Sequence, residues 1–329
     1  MTTATAPSRP RGWLPVPRVL LDRARRHFAS DSRRAVQTVL GLIWVLDGAL
    51  QFQPFMYGHG FIQAVTGLES GQPHWLDTSI NWAAHIFQNP SVIFNTLAAL
   101  VQVFIGLGFL YRRTVKPAIV LSLVWSLPVW WFGEGFGMLL AGSASPLTGA
   151  PGAVLLYALI ALLVWPNERS GGLLGVRGAR AAWATLSLVM AWAWLLPANT
   201  GANATANAIM SAPGSGWLHS LQSSAASGAA GHGDAIAIVL ALVSAVIGVA
   251  VAKDWRPRPF LALAVVLNVG YWVIGQGFGG IFYTNSATDL NAGPLFVLFA
   301  LLLFSLTRAP DQATAATGVV AGTHHTSLT

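Results

Sequence analysis

Long apolar runs alternate with short polar segments along most of the chain. Eight of the runs predict transmembrane helices, because an α-helix needs about 20 residues to cross a hydrocarbon core of about 30 Å. The predicted spans are residues 35–54, 91–111, 117–135, 151–166, 181–197, 234–252, 259–276 and 292–308. The pattern therefore predicts an all-α integral membrane protein.

The basic residues divide the segments between these runs into two sets. All Lys and Arg lie in one set, which comprises residues 1–34, 112–116, 169–180 and 253–258, and Arg308. The other set contains none and comprises residues 55–90, 136–150, 198–233 and 277–291. Because short cytoplasmic loops carry the excess of Lys and Arg, this alternation predicts a multi-pass protein of the bacterial plasma membrane with both termini in the cytoplasm.

The composition agrees with a membrane protein and excludes several kinds of chemistry. Apolar residues make up 54% of the 329 residues and charged residues only 9%, whereas soluble domains carry roughly 25% charged residues. The chain has no Cys, which excludes disulfides, thiolate metal sites and thiol nucleophiles. Much of the net charge of +7 comes from a basic arm, residues 1–34. We therefore expect lipid, and not nucleic acid, as the partner of this arm. Residues 309–329 are small and polar and predict a disordered tail.

One motif occurs twice with a constant spacing. Residues 130–137 read Trp-Trp-Phe-Gly-Glu-Gly-Phe-Gly, and residues 271–279 read Tyr-Trp-Val-Ile-Gly-Gln-Gly-Phe-Gly. Glu134 and Gln276 are separated by 142 positions, as are the flanking Trp and Gly residues. The spacing predicts two four-helix units, 35–166 and 181–308, joined by a cytoplasmic linker at 167–180. Since each unit has an even number of helices, the two are expected to be parallel repeats.

Two acidic residues inside predicted spans are the first candidates for chemistry. Glu134 lies at the external end of the third span and Asp47 within the first. Ionisable residues at membrane depth are costly and usually functional. Either acid could instead have a structural role, with Glu134 bonded to the amides of a broken helix end. Six glycines predict such a break in both motifs: Gly133, Gly135, Gly137, Gly275, Gly277 and Gly279.

Further candidates surround these acids. His85 lies in an apolar loop segment that could fold over Glu134, although no His spacing in the chain predicts a metal site. The aromatic residues of the two motifs and Gln276 are candidate ligand-binding residues, since flat rings suit a quinone headgroup; an ordinary interfacial aromatic belt is the alternative. These aromatic residues are Trp130, Trp131, Tyr271 and Trp272.

Several short motifs resemble one known family. Gly41 to Trp44 lie early in the first helix, Gly106 to Gly108 lie in the second, Arg112-Arg113 follow it, and Lys116-Pro117 open the third. In this respect each half of the chain resembles the DoxX/DoxD-like membrane proteins, which include the small membrane subunit of thiosulfate:quinone oxidoreductase. The resemblance implies a membrane subunit of a quinone-linked oxidoreductase. Because the chain has no Cys and no paired His within its spans, we expect it to carry no redox centre of its own, and either to bind quinone or to anchor a catalytic redox subunit.

Two other functions remain open from the sequence. The chain could be a transporter of a small solute or of protons that uses Glu134 and Asp47 along its path, because parallel repeats with one asymmetric site fit a transporter. It could also be a non-catalytic membrane scaffold. Whether the chain takes part in an enzyme is therefore undecided at this stage.

Overall fold

The computed structural model describes residues 31–88 and 91–307, and this part of the chain contains helices but no β-strand. Most of the predicted basic arm and the predicted tail lie outside the described residues. The α-helices are α1 (Ser32–Leu50), α2 (His59–Thr66), α3 (His74–Gln88), α4 (Ser91–Leu110), α5 (Val115–Pro128), α6 (Ala153–Leu163), α7 (Gly175–Trp194), α8 (Ala204–Met210), α9 (Gly216–Ala229), α10 (Gly233–Ala252), α11 (Pro257–Gly270) and α12 (Ala292–Leu306).

Apolar helices long enough to cross a membrane occur in both halves of the chain. Four helical segments meet this criterion by length and composition, namely Val92–Leu110, Arg112–Gly133, Gly233–Ala252 and Pro257–Gly275. Two shorter apolar helices, Ala153–Leu163 and Ala292–Leu306, accompany them. A helix occupies most of each of the eight predicted runs. The prediction of an all-α protein is thus confirmed for the described residues, and four of their helices are long and apolar enough to cross a membrane.

The outer faces of these helices are apolar. Large apolar side chains remain more than half exposed along them, including Leu42, Phe104, Val124, Leu242 and Val266. A water-soluble protein rarely leaves so extended an apolar surface uncovered. Fully buried aromatic residues such as Trp44, Trp194 and Phe299 form the interior of one continuous core. The exposed apolar surface is the surface that a lipid bilayer would cover.

Helix α1 packs against α4 at nearly the closest distance that two backbones allow. A Cβ atom added to Gly106 would lie 2.6 Å from the carbonyl oxygen of Gly41, and one added to Gly41 would lie 2.8 Å from that of Gly106. Small residues allow such close contact between membrane helices. In the second half, α7 and α10 approach in the same way, since a Cβ atom at Gly248 would lie 2.8 Å from Cβ of Ser187.

Helices α5 and α11 each lose the α-helical conformation at the repeated motif. Helix α5 continues as a π-helical segment, Val129–Gly133, and a 3₁₀ turn, Gly135–Met138, follows it. Helix α11 continues as the π-helical segment Tyr271–Gly275 and then the 3₁₀ turn Gly277–Gly280. Glu134 and Gln276 therefore each lie at the junction between a π-helical segment and a 3₁₀ turn.

The two breaks have nearly the same backbone dihedrals. Phe136 has φ 53° and Phe278 has φ 57°, values that are unusual for residues other than glycine. The following glycines, Gly137 and Gly279, are left-handed too. At Gly137 a side chain would also collide with the carbonyl oxygen of Pro151. Glycine is required there because the break lies directly against the start of the next segment.

We expect the Gly106→Ala substitution to destabilise the protein by about 1–3 kcal/mol, because α1 and α4 would have to move apart. The Gly270→Ala substitution is the control, since a Cβ atom at this helical position has nothing within 4 Å; it should be neutral or stabilising by up to about 1 kcal/mol. Thermal unfolding in detergent measures both. Equal loss of stability in the two variants would contradict the close contact of α1 and α4.

Candidate functional site

A cavity of about 250 Å³ lies between the helices of the first half, next to the break at Glu134. Its walls are largely apolar and aromatic, with Trp44, Trp125 and Phe132 among the lining residues. Asp47, Glu134, Tyr157 and Asp289 also line it. Asp47 and Glu134, which the sequence selected separately, thus border one cavity.

Asp47 lies on α1 and is only 2% exposed. The hydroxyl of Tyr157, on α6, donates a hydrogen bond to its Oδ2 atom. The Oδ1 atom is buried and has no hydrogen-bond partner. Trp44, one helical turn before Asp47, packs its ring against Tyr157 with a centroid distance of 4.5 Å, and its buried Nε1 atom also lacks a partner. A buried polar atom without a partner is uncommon in proteins and suggests that a ligand or water completes the site.

The carboxylate of Glu134 contacts the start of α6. Its Oε1 atom accepts a hydrogen bond of 3.1 Å from the backbone N–H of Val154. A helix N-terminus favours a carboxylate because its first amides have no partner within the helix. The Oε2 atom is buried without a partner, and a side chain at Gly152 would collide with it. One oxygen of Glu134 therefore has a structural contact while the other remains free.

Asp289 is a residue of this site that the sequence did not select. It lies between Gly280 and α12, where Asn291 N–H donates to its Oδ1 atom and the Thr288 hydroxyl donates to Oδ2 over 2.9 Å. Burial raises the pKa of Asp289 above that of an ordinary aspartate, because burial disfavours the charged form. The signal available in the sequence was that Asp289 is the only charged residue of loop 277–291.

A second cavity of about 250 Å³ is lined by Glu134 and Asp289 but not by Asp47. Its lining is polar and includes Ser143, Ser145, Thr148 and Asn291. Glu134 and Asp289 line both cavities. Their carboxyl groups therefore lie in the wall between an apolar aromatic cavity and a polar one.

The tryptophans of the two motifs stabilise the breaks and are absent from the linings of these two cavities. Trp130 donates from Nε1 to the carbonyl of Pro151, and Trp272 donates to that of Leu290, both over 2.8 Å. Each ring packs edge-to-face on the phenylalanine of its break, at centroid distances of 4.8 and 4.9 Å. Trp131 donates to the hydroxyl of Ser79 on α3. These contacts join the breaks to the neighbouring loops.

In the second half, Gln276 lies at the break and has hydrogen bonds to both polar atoms of its side chain. Gln276 is 4% exposed; its Oε1 atom accepts from Gly293 N–H over 3.0 Å, and its Nε2 atom donates to the carbonyl of Leu147. Tyr271 packs on Trp194 and borders a cavity of only about 20 Å³, which Ser187 and Met190 also line. Gln276 thus resembles Glu134 in its contact with a helix start, but it lines neither of the two large cavities.

His85 is exposed on α3 and does not line either large cavity. Packing instead directs Leu76, Ile80 and Ala84 of this helix inward, against Phe61 and Trp131. Over residues 31–88 and 91–307, no three His, Cys, Asp or Glu side chains come together as a possible metal site. The structure therefore brings together Asp47 and Glu134 but leaves His85 apart from them.

No protein-family model, curated protein or solved structure matches the chain. The function must therefore be inferred from the two cavities and the groups that line them.

We expect the Tyr157→Phe substitution alone to destabilise the protein by about 1–3 kcal/mol, because it removes the side-chain hydrogen bond to the buried Asp47 Oδ2 atom. Replacing Asp47 by Met in the same chain should recover most of this loss. The double variant introduces the residue types that stand 143 and 142 positions later, at Met190 and Phe299. A double-mutant cycle of thermal unfolding in detergent measures the coupling, and simple additivity of the two changes would contradict it.

We also expect Asp289 to make the stability depend on pH. Because its pKa is raised by folding, the folded state binds more protons than the unfolded state above about pH 3.9, the pKa of free Asp. Stability should therefore fall as pH rises through the folded-state pKa. In the Asp289→Asn variant this part of the decline should disappear, whereas the Asp77→Asn control should keep it. Melting temperatures at a series of pH values test this, and parallel curves for wild type and Asp289→Asn would contradict it.

Proposed function

We propose that the chain spans the plasma membrane eight times, as two parallel four-helix units with both termini in the cytoplasm. The alternation of Lys and Arg between loops supports this topology. The repeated break supports a duplication: at a spacing of 142 residues the two halves have the same π-helical segment, 3₁₀ turn and Trp-to-carbonyl hydrogen bond.

The cavity in the first unit, we propose, binds a small ring ligand of the quinone class. The observation that carries this proposal is the set of three buried polar atoms without partners on residues that line the cavity, namely Trp44 Nε1, Asp47 Oδ1 and Glu134 Oε2. A quinone is a flat apolar ring with carbonyl acceptors at opposite ends. Aromatic walls suit the ring, and an indole N–H and carboxyl groups suit the carbonyl oxygens.

The size of the cavity favours a small headgroup. Its volume of about 250 Å³ lies at the lower end of the range for small-molecule sites, about 300–1,000 Å³. The chain resembles DoxX/DoxD-like proteins, so we propose that it is the membrane subunit of a quinone-linked oxidoreductase. Because the chain has no Cys to hold an iron–sulfur cluster, we assign the transfer of electrons to a catalytic partner subunit.

One observation favours a transporter as the second candidate. Glu134 and Asp289 line both large cavities, so a small solute or a proton could pass between the cavities at these carboxyl groups. Proton-coupled uptake that is lost in the Glu134→Gln variant would favour this candidate. If that variant affected neither uptake nor ligand binding while a partner still co-purified, the chain would be a scaffold.

For the quinone site, we expect a short-chain quinone to quench tryptophan fluorescence of the purified protein in a saturable way, because Trp44 and Trp125 line the cavity. The Asp47→Asn substitution keeps an acceptor for Tyr157 and should weaken binding about tenfold, which corresponds to about 1.4 kcal/mol. The Asp77→Asn variant is the control, since Asp77 is absent from the lining of this cavity.

The same preparation, purified in a mild detergent, should yield a quinone on solvent extraction, together with any partner subunit. Quenching that does not saturate, or that is unchanged by Asp47→Asn, would exclude a quinone from this cavity.

A further inference from the structure

The carboxyl groups of Glu134 and Asp289 connect two spaces of opposite character. One side is the aromatic cavity, into which Asp47 also faces. The other side is the polar cavity beside the loop that joins the break to α6. Ser143 and Thr148, in the lining of the polar cavity, are exposed, so this cavity reaches the surface. Its polar lining and its volume allow several waters.

The polar atoms along this route are only partly satisfied. On the polar side, the buried hydroxyl of Ser145 has no hydrogen-bond partner. At the wall, Glu134 uses Oε1 for Val154 and leaves Oε2 free. On the aromatic side, Asp47 is 98% buried, and its Oδ1 atom is free as well. Groups that can accept a hydrogen bond or a proton are therefore present at the entrance, the wall and the inner end.

Among the described residues that line the two cavities, no basic side chain accompanies these acids. The titratable residues that line the two cavities are Asp47 on α1, Glu134 after α5, Tyr157 on α6 and Asp289 before α12, and neither lining contains Lys, Arg or His. Burying a carboxylate without a cation is costly. Protons are the cations that water in the polar cavity can supply.

We propose that Glu134 and Asp289 form a proton-exchange site that connects the aromatic cavity with the water on the side of the membrane opposite the basic loops. A hydronium ion in the polar cavity protonates the carboxylate of Glu134 or Asp289 and leaves as water. The carboxyl group then donates this proton to the occupant of the aromatic cavity and returns to its carboxylate form. Asp47, hydrogen-bonded to Tyr157, is the inner acceptor.

This inference rests on the proposed function for the identity of the occupant, a ring that takes up and releases protons. The exchange itself requires only the two cavities and the acids between them. Among the described residues of the second half, Gln276 stands at the position of the acid, and the oxygen and the nitrogen of its amide group are both hydrogen-bonded. The protein should therefore have one exchange site and not two.

The test uses the full chain in sealed membrane vesicles of one orientation, with the pH set separately on each side. Dicyclohexylcarbodiimide, a lipid-soluble reagent, converts protonated carboxyl groups to N-acylureas, which mass spectrometry locates. We expect the modification of Glu134 to follow the pH on the side opposite the basic loops and to be unaffected by the pH on the other side. Modification that follows the cytoplasmic pH, or no modification at any pH, would overturn the inference.

An infrared band and the rate of response to a pH jump provide two further measurements. The infrared C=O band of the protonated carboxyl group, identified by its loss in Glu134→Gln, should follow the same external pH without any reagent. The Ser143→Phe substitution at the polar cavity should slow the response to an external pH jump at least severalfold. The Ser286→Phe control, at an exposed residue that lines neither large cavity, should not.

The outcomes separate this inference from the quinone proposal. Quinone binding to a protein whose Glu134 ignores the external pH would overturn proton exchange and leave the quinone site intact. A normal response of Glu134 in a protein that binds no quinone would support the exchange site and remove the quinone. An equal response of wild type and Ser143→Phe to the pH jump would overturn the polar cavity as the route.

Discussion

The structure depends on how the apolar helices α5 and α11 end at the repeated motif. Backbone groups freed by such an end must find partners within the protein, since hydrocarbon offers none. Here the side chain at the break accepts from the first turn of the next helix: Glu134 accepts from Val154, and Gln276 accepts from Gly293. A tryptophan one turn earlier donates to a carbonyl just before that helix. The two contacts bring α5 to α6 and α11 to α12, and they fix the loop that forms the polar cavity.

The hydrogen bond between the side chain at the break and the next helix has different consequences in the two halves. An amide at Gln276 satisfies both of its polar atoms in the packed interior, to Gly293 and to the carbonyl of Leu147. A carboxylate at Glu134 uses only one oxygen in this way and leaves the other free beside a cavity. Around it lie Asp47 and Tyr157, whereas Met190 and Phe299 stand 143 and 142 positions later in the sequence. Unsatisfied polar atoms weaken a fold, and three of them, on Trp44, Asp47 and Glu134, belong to residues that line the aromatic cavity.

Much of the fold could be read from the sequence, because the relevant signals are local. The helices follow from runs of apolar residues, and the position of each break follows from glycines around one polar residue. Asp47 and Glu134 were recognisable as candidates since ionisable residues within apolar runs are rare. Their proximity was not, because 87 positions separate them, and the packing of α1, α5 and α6 alone brings them to one cavity.

Asp289 shows most clearly what the tertiary structure decides. In the sequence it is a single acid in a loop, which predicts exposure to water; in the fold it is partly buried and lines both cavities together with Glu134. Packing also decided that Trp130 and Trp272 donate hydrogen bonds to carbonyls before the next helix. It likewise decided that His85 is exposed. The sequence by itself determined an all-α, membrane-type chain with a twice-repeated break and one acid that the second copy lacks, because hydrophobicity and glycine act over a few residues. Only the tertiary structure decided which distant carboxyl groups share a cavity, because that depends on how helices from both halves of the chain pack together.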